Sequence, residues 1–549
     1  MKPMIEATGA QIITTLLERQ NVSYIAGIPG GSVLPLYDAI ASSSLRHILV
    51  RHEQAGGFFA QGYARSTGMP AVCIATSGPG AMNLLTAIAD ARADSVPLVV
   101  ITGQVATNFI GTDAFQEADT FGLSFPITKH SMMVTDALEL LDAIPKAFQL
   151  AASGRPGPVL IDVPVDVQKQ KVRFEAWPEP GWRERRAARY RTEGAELASR
   201  LRVFTEALVH AKHPVLFAGG GCNSNWSASA LADFLEVFPM PVVTSLMGLC
   251  AIPHDNPCYA GMTGMYGSPS ANELLRTADV VLAAGVRFDE RAAGKRGAFL
   301  ADAKLLHIDI DAAEVDKLLP AYCSIVADTE SIFPCLTQYF KQCLISGSRD
   351  DMARLASERR EAMTEGARLV EALASCAERA GWPSEKMLVT ADVGLHQMWT
   401  ANGFPFKYPR QFLASGSLGT MGFGLPAAIG AAVAHPEKRV LCISGDGSIL
   451  MNVQELATLA ELNADVTVFV CDNNALGMVR QQQKGHRQSA SAYERSSNIA
   501  LVAEGFGIQA RSISAEAVMN GTGDWIDFAF PPKGSGPRLI RCIVKRDMI

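Results

Sequence analysis

Residues 439 to 483 read RVLCISGDGSILMNVQELATLAELNADVTVFVCDNNALGMVRQQQ. Val440 to Ser444 is a short apolar run suited to a buried parallel strand, and it stops abruptly at Gly445-Asp446-Gly447-Ser448. Leu450, Val453, Leu456, Leu459, Ala460 and Leu462 then recur at helical spacing. Val466 to Cys471 supplies a second strand, closed by Asp472-Asn473-Asn474. The stretch is thus one βαβ unit that brings oxygen-bearing side chains to a single sheet edge, where open α/β sheets bind ligands.

A small hard cation such as Mg²⁺ takes oxygen ligands and shares them with substrate phosphates. Asp446 offers a carboxylate and Asn473 an amide oxygen, and the glycines let backbone approach a diphosphate near Ser448. A strand turn followed by a helix cap uses the same residue types, so GDGS alone leaves both readings open. The separation of 27 positions from Asp446 to Asn473, one strand-helix-strand repeat, favours a metal-diphosphate site.

Residues 1–170 alternate helical and strand patterns, as a parallel α/β domain does. Tyr24 to Ile28 runs into the tight turn Pro29-Gly30-Gly31-Ser32. His47 to Arg51 is the next strand and delivers Glu53 to its carboxyl edge, just before the helix AGGFFAQGYARSTG. A carboxylate beside Ala55, Phe58 and Phe59 suits proton exchange, and a helix N-cap is the equal alternative. Residues 171–195, rich in charge, tryptophan and proline, read as a linker. Residues 196–345 form a second α/β domain, in which the strand His213 to Ala218 meets Gly219-Gly220-Gly221 and a late strand carries Asp309 and Asp311. Three glycines permit close approach to a nucleotide and a late acidic residue can bond a ribose, but no full GxGxxG is present and an ordinary turn fits as well. A charged helical linker at 346–380 precedes a third domain, 381–549, which opens on Leu388 to Ala391 followed by Asp392-Val393-Gly394. The fold class is therefore α/β, with three doubly wound domains and mainly parallel sheets.

The net charge of −6 with interspersed signs provides no basic patch for nucleic acid. Eleven scattered cysteines with no CxxC read as small buried hydrophobes in a reducing compartment. MKPMIEATGAQIITTLLERQ reads as an amphipathic helix rather than a signal peptide, and no apolar run approaches the roughly 20 residues of a membrane span. The expectation is a cytoplasmic protein.

GDGS…NN resembles the thiamin-diphosphate signature, and GDGSILMNVQELATLAELN…DNNALGMVRQQQ is similar to the catalytic subunits of the acetohydroxyacid (acetolactate) synthases. The resemblance extends through RHEQAGGFFAQGYAR, ATSGPGAMNLLTAIADARADSVPLVVITGQV, GTDAFQE, ITKH and SGRPGPVLIDVPVDVQ, so it covers almost the whole chain. It implies Mg²⁺ held by Asp446, Asn473 and the carbonyl of Ala475. It also implies thiamin diphosphate in contact with Val393, Gly394, His396, Gly419, Met421, Gly447, Ser448, Leu476, Gly477 and Met478. Met421 matches the apolar residue that buttresses the bent coenzyme, and Glu53 the glutamate that bonds its aminopyrimidine nitrogen. Gly30, Phe115, Gln116 and Lys129 match active-site wall and channel positions. FAD, without net redox work, is implied at Arg155, Gly219, Gly220, Gly221, Leu246, Met265, Arg287, Asp289, Arg291, Asp309 and Asp328.

The activity implied by the resemblance is decarboxylation of pyruvate and transfer of the hydroxyethyl unit to a second 2-oxo acid, pyruvate favoured. A homodimer or homotetramer is implied, with Glu53 facing its neighbour's diphosphate site, and so is a small regulatory subunit. A related decarboxylase, lyase or pyruvate oxidase is the alternative within enzymes. A silent nucleotide-binding paralogue has no need of Glu53, Asp446 and Asn473 together. Departures from the family pattern are Gln482 for a usual tryptophan, Leu395 for glutamine, Met82 for threonine and Val165 for lysine. The chain also stops at KRDMI, where the family carries a further arm over the site, which implies readier access for water and larger acceptors.

Overall fold

The structure, a computed structural model, describes residues 4–180, 192–294, 299–342, 362–487, 489–495 and 497–548. The middle of the expected linker at 171–195 (residues 181–191) and the first part of that at 346–380 (residues 346–361) lie outside the described residues. Among the described residues three six-stranded sheets organise the chain, and every pairing within them is parallel.

The first part opens with β1 (Ile5–Thr8), and Thr8 and Gln11 form a reciprocal capping box that starts the amphipathic helix Gly9–Arg19. Next come β2 (Tyr24–Gly27), β3 (Arg46–Leu49), β4 (Ala71–Ala75), β5 (Leu98–Gln104), β6 (His130–Met133), β7 (Pro158–Pro164) and β8 (Lys171–Phe174). β1 pairs with β8 antiparallel, and the other six form a sheet of order β3-β2-β4-β5-β7-β6. β4 (AVCIA) and β5 (LVVITGQ) are buried along their full length, as strands covered on both faces must be.

The central sheet contains β9 (Pro214–Ala218), β10 (Val242–Thr244), β11 (Tyr259–Met262), β12 (Val280–Ala284), β13 (Lys304–Asp309) and β14 (Cys323–Val326). Its order, β11-β10-β9-β12-β13-β14, is that of a dinucleotide-binding fold, with the reversal between β9 and β12.

The third sheet contains β15 (Met387–Ala391), β16 (Phe412–Ala414), β17 (Arg439–Gly445), β18 (Val466–Asp472), β19 (Gln509–Ser514) and β20 (Arg538–Ile543). Its order, β16-β15-β17-β18-β20-β19, repeats that of the first sheet strand for strand. The helix Glu365–Arg379, within the expected second linker, buries Leu369, Val370 and Leu373 in this third core beside Trp399 and Phe404.

Two glycines dock the first sheet's layer on the third. A Cβ at Gly62 would strike the carbonyl of Ala427, and one at Gly430 the carbonyl of Phe59. The helices Glu53–Thr67 and Gly424–Ala434 therefore cross at backbone contact, and Ala26, Ile48, Val50 and Phe59 share a core with Leu425, Leu456 and Leu459. In each sheet the strand order reverses beside its first strand. The crevices lie past Gly27 and Ala75, past Ala218 and Ala284, and past Ala391 and Gly445.

Candidate active site

The third crevice is built by the ends of β15, β17 and β18. β17 turns directly into the short helix Asp446–Ile449, so Asp446 is fixed at a strand-helix junction and is only 8% exposed. Its Oδ1 accepts the amide of Gly447 at 3.0 Å, while its buried Oδ2 has no hydrogen-bond partner. Burial, and then the neighbouring Asp472, push its carboxyl up to about 7. Asp472 is itself tied to Arg541 at 2.6 Å. Asn473 accepts the amide of Ala475 at 3.1 Å, and Asn474 takes a left-handed φ of 55°. Among the described residues no three His, Cys, Asp or Glu side chains gather as a metal-binding set. The available donors are one carboxylate with amide and carbonyl oxygens, a set that suits Mg²⁺ sharing phosphate oxygens rather than Zn²⁺. The orphaned Asp446 Oδ2 is the atom such an ion would satisfy.

Side chains converge on Gly447. A Cβ there would meet Leu476 Cδ2 and the Tyr493 hydroxyl at 2.7 Å and Met421 Cε at 3.7 Å. Ser448 donates to the carbonyl of Val393 at 2.6 Å. The His396 ring fills the space over Gly394 and Gly445, and burial drives its pKa down to about 3, so the imidazole is neutral. Its Nε2 is buried without a partner. Leu395 Cδ1 and Asn473 Nδ2 both lie against Gly477, and Met478 packs on the third core. Gly419, at φ 71°, has open space on its Cβ side. The loop carrying Gly419 and Met421 is anchored by Asp392, which accepts the amides of Val393 and Gly422 at 2.9 Å each. Burial raises the Asp392 carboxyl to about 6.

The first crevice holds Glu53. His52, not Glu53, caps the helix, its Nδ1 accepting the Gln54 amide at 3.2 Å, and this leaves the Glu53 carboxylate free of capping. Asn83 donates to Glu53 Oε2 at 2.9 Å, and the side chain lies beside Gly80. Gly30 packs on Thr76 across the crevice, and Gln116, at a left-handed φ of 59°, lays its carbonyl on Gly78. Gly30, Glu53 and Gln116 thus meet at one edge, with Phe115 87% exposed beside them. Lys129 is placed elsewhere: its Nζ donates to the carbonyls of Leu150 and Ser153 at 2.6 Å, at the end of the helix Leu140–Ala152.

The central crevice collects cations at the junction of all three parts. Arg155 donates to Ser95 at 2.8 Å and pairs with Glu314 at 2.7 Å, and Arg287 reaches the Ala93 carbonyl and the Ser417 hydroxyl. Burial, and then Arg155 and Arg287, hold the nearby Arg92 below the usual arginine range. Gly219 and Gly221 press on Gly285, whereas Gly220 faces Met247. Leu246 opens a short helical turn and Met265 is exposed. Asp289 caps the helix Glu290–Ala293, which carries Arg291. Asp309 accepts the Asp311 amide at 2.8 Å, and Asp328 the Glu330 amide at 3.3 Å. Three arginines beside a Rossmann-type reversal fit a nucleotide diphosphate.

Sequence reading missed Tyr493, Asp392 and the pair Asp90 and Asp94. The four-residue spacing in DARAD, which sets both carboxylates on one helix face, is the signal for the pair. Tyr493 reaches the site because its amide donates to Asn474 O and Ala475 bridges Ala492, contacts with no local sequence signature.

Three family models match in chain order: the thiamine pyrophosphate enzyme N-terminal TPP binding domain at residues 7–123, central domain at 201–336 and C-terminal TPP binding domain at 392–542. The chain belongs to the thiamine pyrophosphate enzymes. It is 44% identical over 532 residues to the acetolactate synthase isozyme 1 large subunit of Escherichia coli, spanning 93% of this chain and 90% of the relative. It is 41% identical to the isozyme 2 large subunit of the same organism (92% and 91%) and 40% to a probable acetolactate synthase large subunit of Methanocaldococcus jannaschii (93% and 88%). Within the family, the chain takes its place among the acetolactate synthase large subunits. Among the described residues no helix is long and apolar enough to cross a membrane.

Proposed function

We propose that this protein is an acetolactate synthase that decarboxylates pyruvate and joins the two-carbon unit to a second 2-oxo acid, pyruvate favoured, to give 2-acetolactate. The observation that carries the reading is the buried, unpartnered Asp446 Oδ2 beside Asn473 at the third crevice, in a chain whose first crevice presents Glu53. Thiamin diphosphate, when bound, supplies the electron sink that makes loss of CO₂ from a 2-oxo acid feasible. Asp446, Asn473 and the carbonyl of Ala475 would hold Mg²⁺, and the backbone at Gly447 and Ser448 would receive the diphosphate. Val393, Gly394, His396, Gly419, Leu476, Gly477 and Met478 would line the coenzyme, and Met421 would buttress it. Glu53, aimed by Asn83, would hold and return a proton at its carboxylate. Gly30 and Gln116 wall that end, and Lys129 stands outside it in a single chain. Arg155, Arg287, Asp309 and their neighbours around Gly220 would hold FAD by its diphosphate and ribose.

Residues 1–170 act as the pyrimidine domain, 196–345 as the flavin domain and 381–549 as the diphosphate domain, joined at 171–195 and 346–380. Glu53 serves the diphosphate domain of a second copy in a cytoplasmic homodimer or homotetramer. Phe109, Phe115, Phe121, Leu123 and Phe125, on either side of Gln116 in the chain, are all exposed, apolar side chains of the kind a second copy covers. A small regulatory subunit completes the assembly.

Purified protein given pyruvate, thiamin diphosphate and Mg²⁺ is expected to yield acetolactate, read as acetoin after acid treatment, and to release flavin on denaturation. Glu53→Gln is expected to lose about 10²- to 10⁴-fold in rate, the range of proton-transfer groups. Acetaldehyde or dye reduction without acetoin, or full activity in Glu53→Gln, refutes the reading.

A further inference from the structure

We propose that Glu455, with Asn452, is a positioning residue that fixes the turn carrying Glu53. This rests on the role given to Glu53 above. The residues on both sides of Glu53 are gripped from the third part of the same chain. Glu455 Oε1 accepts the Arg51 amide at 2.8 Å, the His52 amide faces the same carboxylate, and Oε2 accepts the Thr458 hydroxyl at 2.7 Å. Arg51 pairs with Glu461 at 2.7 Å. Asn452 donates to Gln54 Oε1 at 3.3 Å and to the carbonyl of Gly422 at 2.8 Å. One amide thereby touches both the Glu53 turn and the loop next to Met421.

Glu455 is fully buried on a helix whose next inward positions are Leu456 and Leu459. A carboxylate there is costly to desolvate and is offset only by the hydrogen bonds it receives. Two of those donors are the backbone amides immediately preceding Glu53. For simple packing an apolar side chain would serve as well. What the carboxylate adds is a fixed position for the β3-to-helix turn, from which Glu53 projects toward Asn83. A displacement of about 1 Å in a proton-transfer group costs on the order of 10²-fold in rate.

The test uses Glu455→Leu, which removes both acceptors, and Glu455→Gln, which keeps one. Measured are kcat, pyruvate KM, coenzyme affinity by fluorescence titration, melting temperature, and deuterium exchange at the coenzyme's reactive carbon by acid-quench NMR. In Glu455→Leu, kcat and exchange are expected to fall together by about 10- to 100-fold, with coenzyme affinity and KM within about threefold of wild type. Glu455→Gln is expected to be intermediate, and it carries the test alone if the leucine variant does not fold. Adding Glu455→Leu to Glu53→Gln is expected to slow the enzyme no further, because the group being aimed is gone. Wild-type exchange in the variants overturns the proposal. So does a kcat loss matched by equal losses in coenzyme affinity and melting temperature, which identifies packing. An active wild type, an inactive Glu53→Gln and an unaffected Glu455 variant sink this proposal alone. Full activity in Glu53→Gln sinks it together with the role of Glu53.

Discussion

Replacing Asp94 by alanine should loosen the coenzyme loop without touching the coenzyme. The Asp94 carboxylate is inaccessible to solvent, and it accepts the amides of Gly416 at 2.8 Å and Ser417 at 2.9 Å as well as Arg65 at 3.0 Å. Burial opposes its charge, but Arg65 and those two amides outweigh burial and hold its carboxyl below the ordinary range. Asp90, one helical turn away, accepts Arg65 at 3.1 Å, Thr420 Oγ1 at 3.0 Å and the Ser415 hydroxyl. Asp94→Ala strips two backbone amides of a charged acceptor, at about 1.5–3 kcal/mol each. Arg65 keeps Asp90, so no buried cation is orphaned and the larger penalty for breaking a buried pair does not apply. The sum is about 3–6 kcal/mol, felt where the bonds were lost, at 415–420. Hydrogen exchange read by mass spectrometry should show amides in that segment exchanging at least about a hundredfold faster, since each 1.4 kcal/mol is tenfold. Coenzyme affinity should fall with it, because Gly419 and Met421 ride on the same loop. Exchange at 415–420 within about threefold of wild type would show that Asp94 does not anchor the loop.

Asp162 accepts Thr102 Oγ1 at 2.7 Å and Gln104 Nε2 at 3.0 Å, yet burial, the largest influence, pushes its carboxyl from 3.8 to about 7. The folded state therefore binds the proton more tightly than the unfolded chain, and this stabilisation is present below pH 3.8 and is lost as pH rises through 7. Asp162→Asn should remove that decline from a series of melting temperatures between those limits; a variant with the wild-type slope would contradict it. Gly394 has φ 151°, and a Cβ there would meet His396 Cε1 at 2.6 Å. Gly394→Ala should cost about 1–3 kcal/mol of strain and weaken coenzyme binding about 5- to 150-fold, read by fluorescence titration. Met421→Gln sets a polar side chain over Gly447 and should weaken coenzyme binding and turnover together; unchanged kinetics would count against the buttress.

The three parallel sheets were legible because buried strands such as PVLFA, VLCI and VTVFVC are continuous apolar runs separated by helical periodicity. So was the pairing of Asp446 with Asn473, since one βαβ repeat fixes which sheet edge both reach. Glu53 could be placed at a strand end, but its competition between cap and carboxylate was decided only when the His52 ring took the Gln54 amide. Lys129 illustrates the opposite limit. Its exposure and charge carry no direction in sequence, and its carbonyl partners, Leu150 and Ser153, lie more than twenty positions away.

Which residues stand at the carboxyl edges of strands is written locally in the chain, because strand ends and turn residues are local properties. Strand order emerges from the packing of whole layers, and with it the repetition of one topology in the first and third sheets and a different one in the central sheet. A crossover helix reads alike whichever neighbour it leads to, so order is settled by how whole layers bury their faces. The links from Asp94 to Ser417 and from Glu455 to Arg51 span more than three hundred residues of chain. They exist because Gly62 and Gly430 let two helices cross at backbone contact and bring buried carboxylates to amides that would otherwise face water.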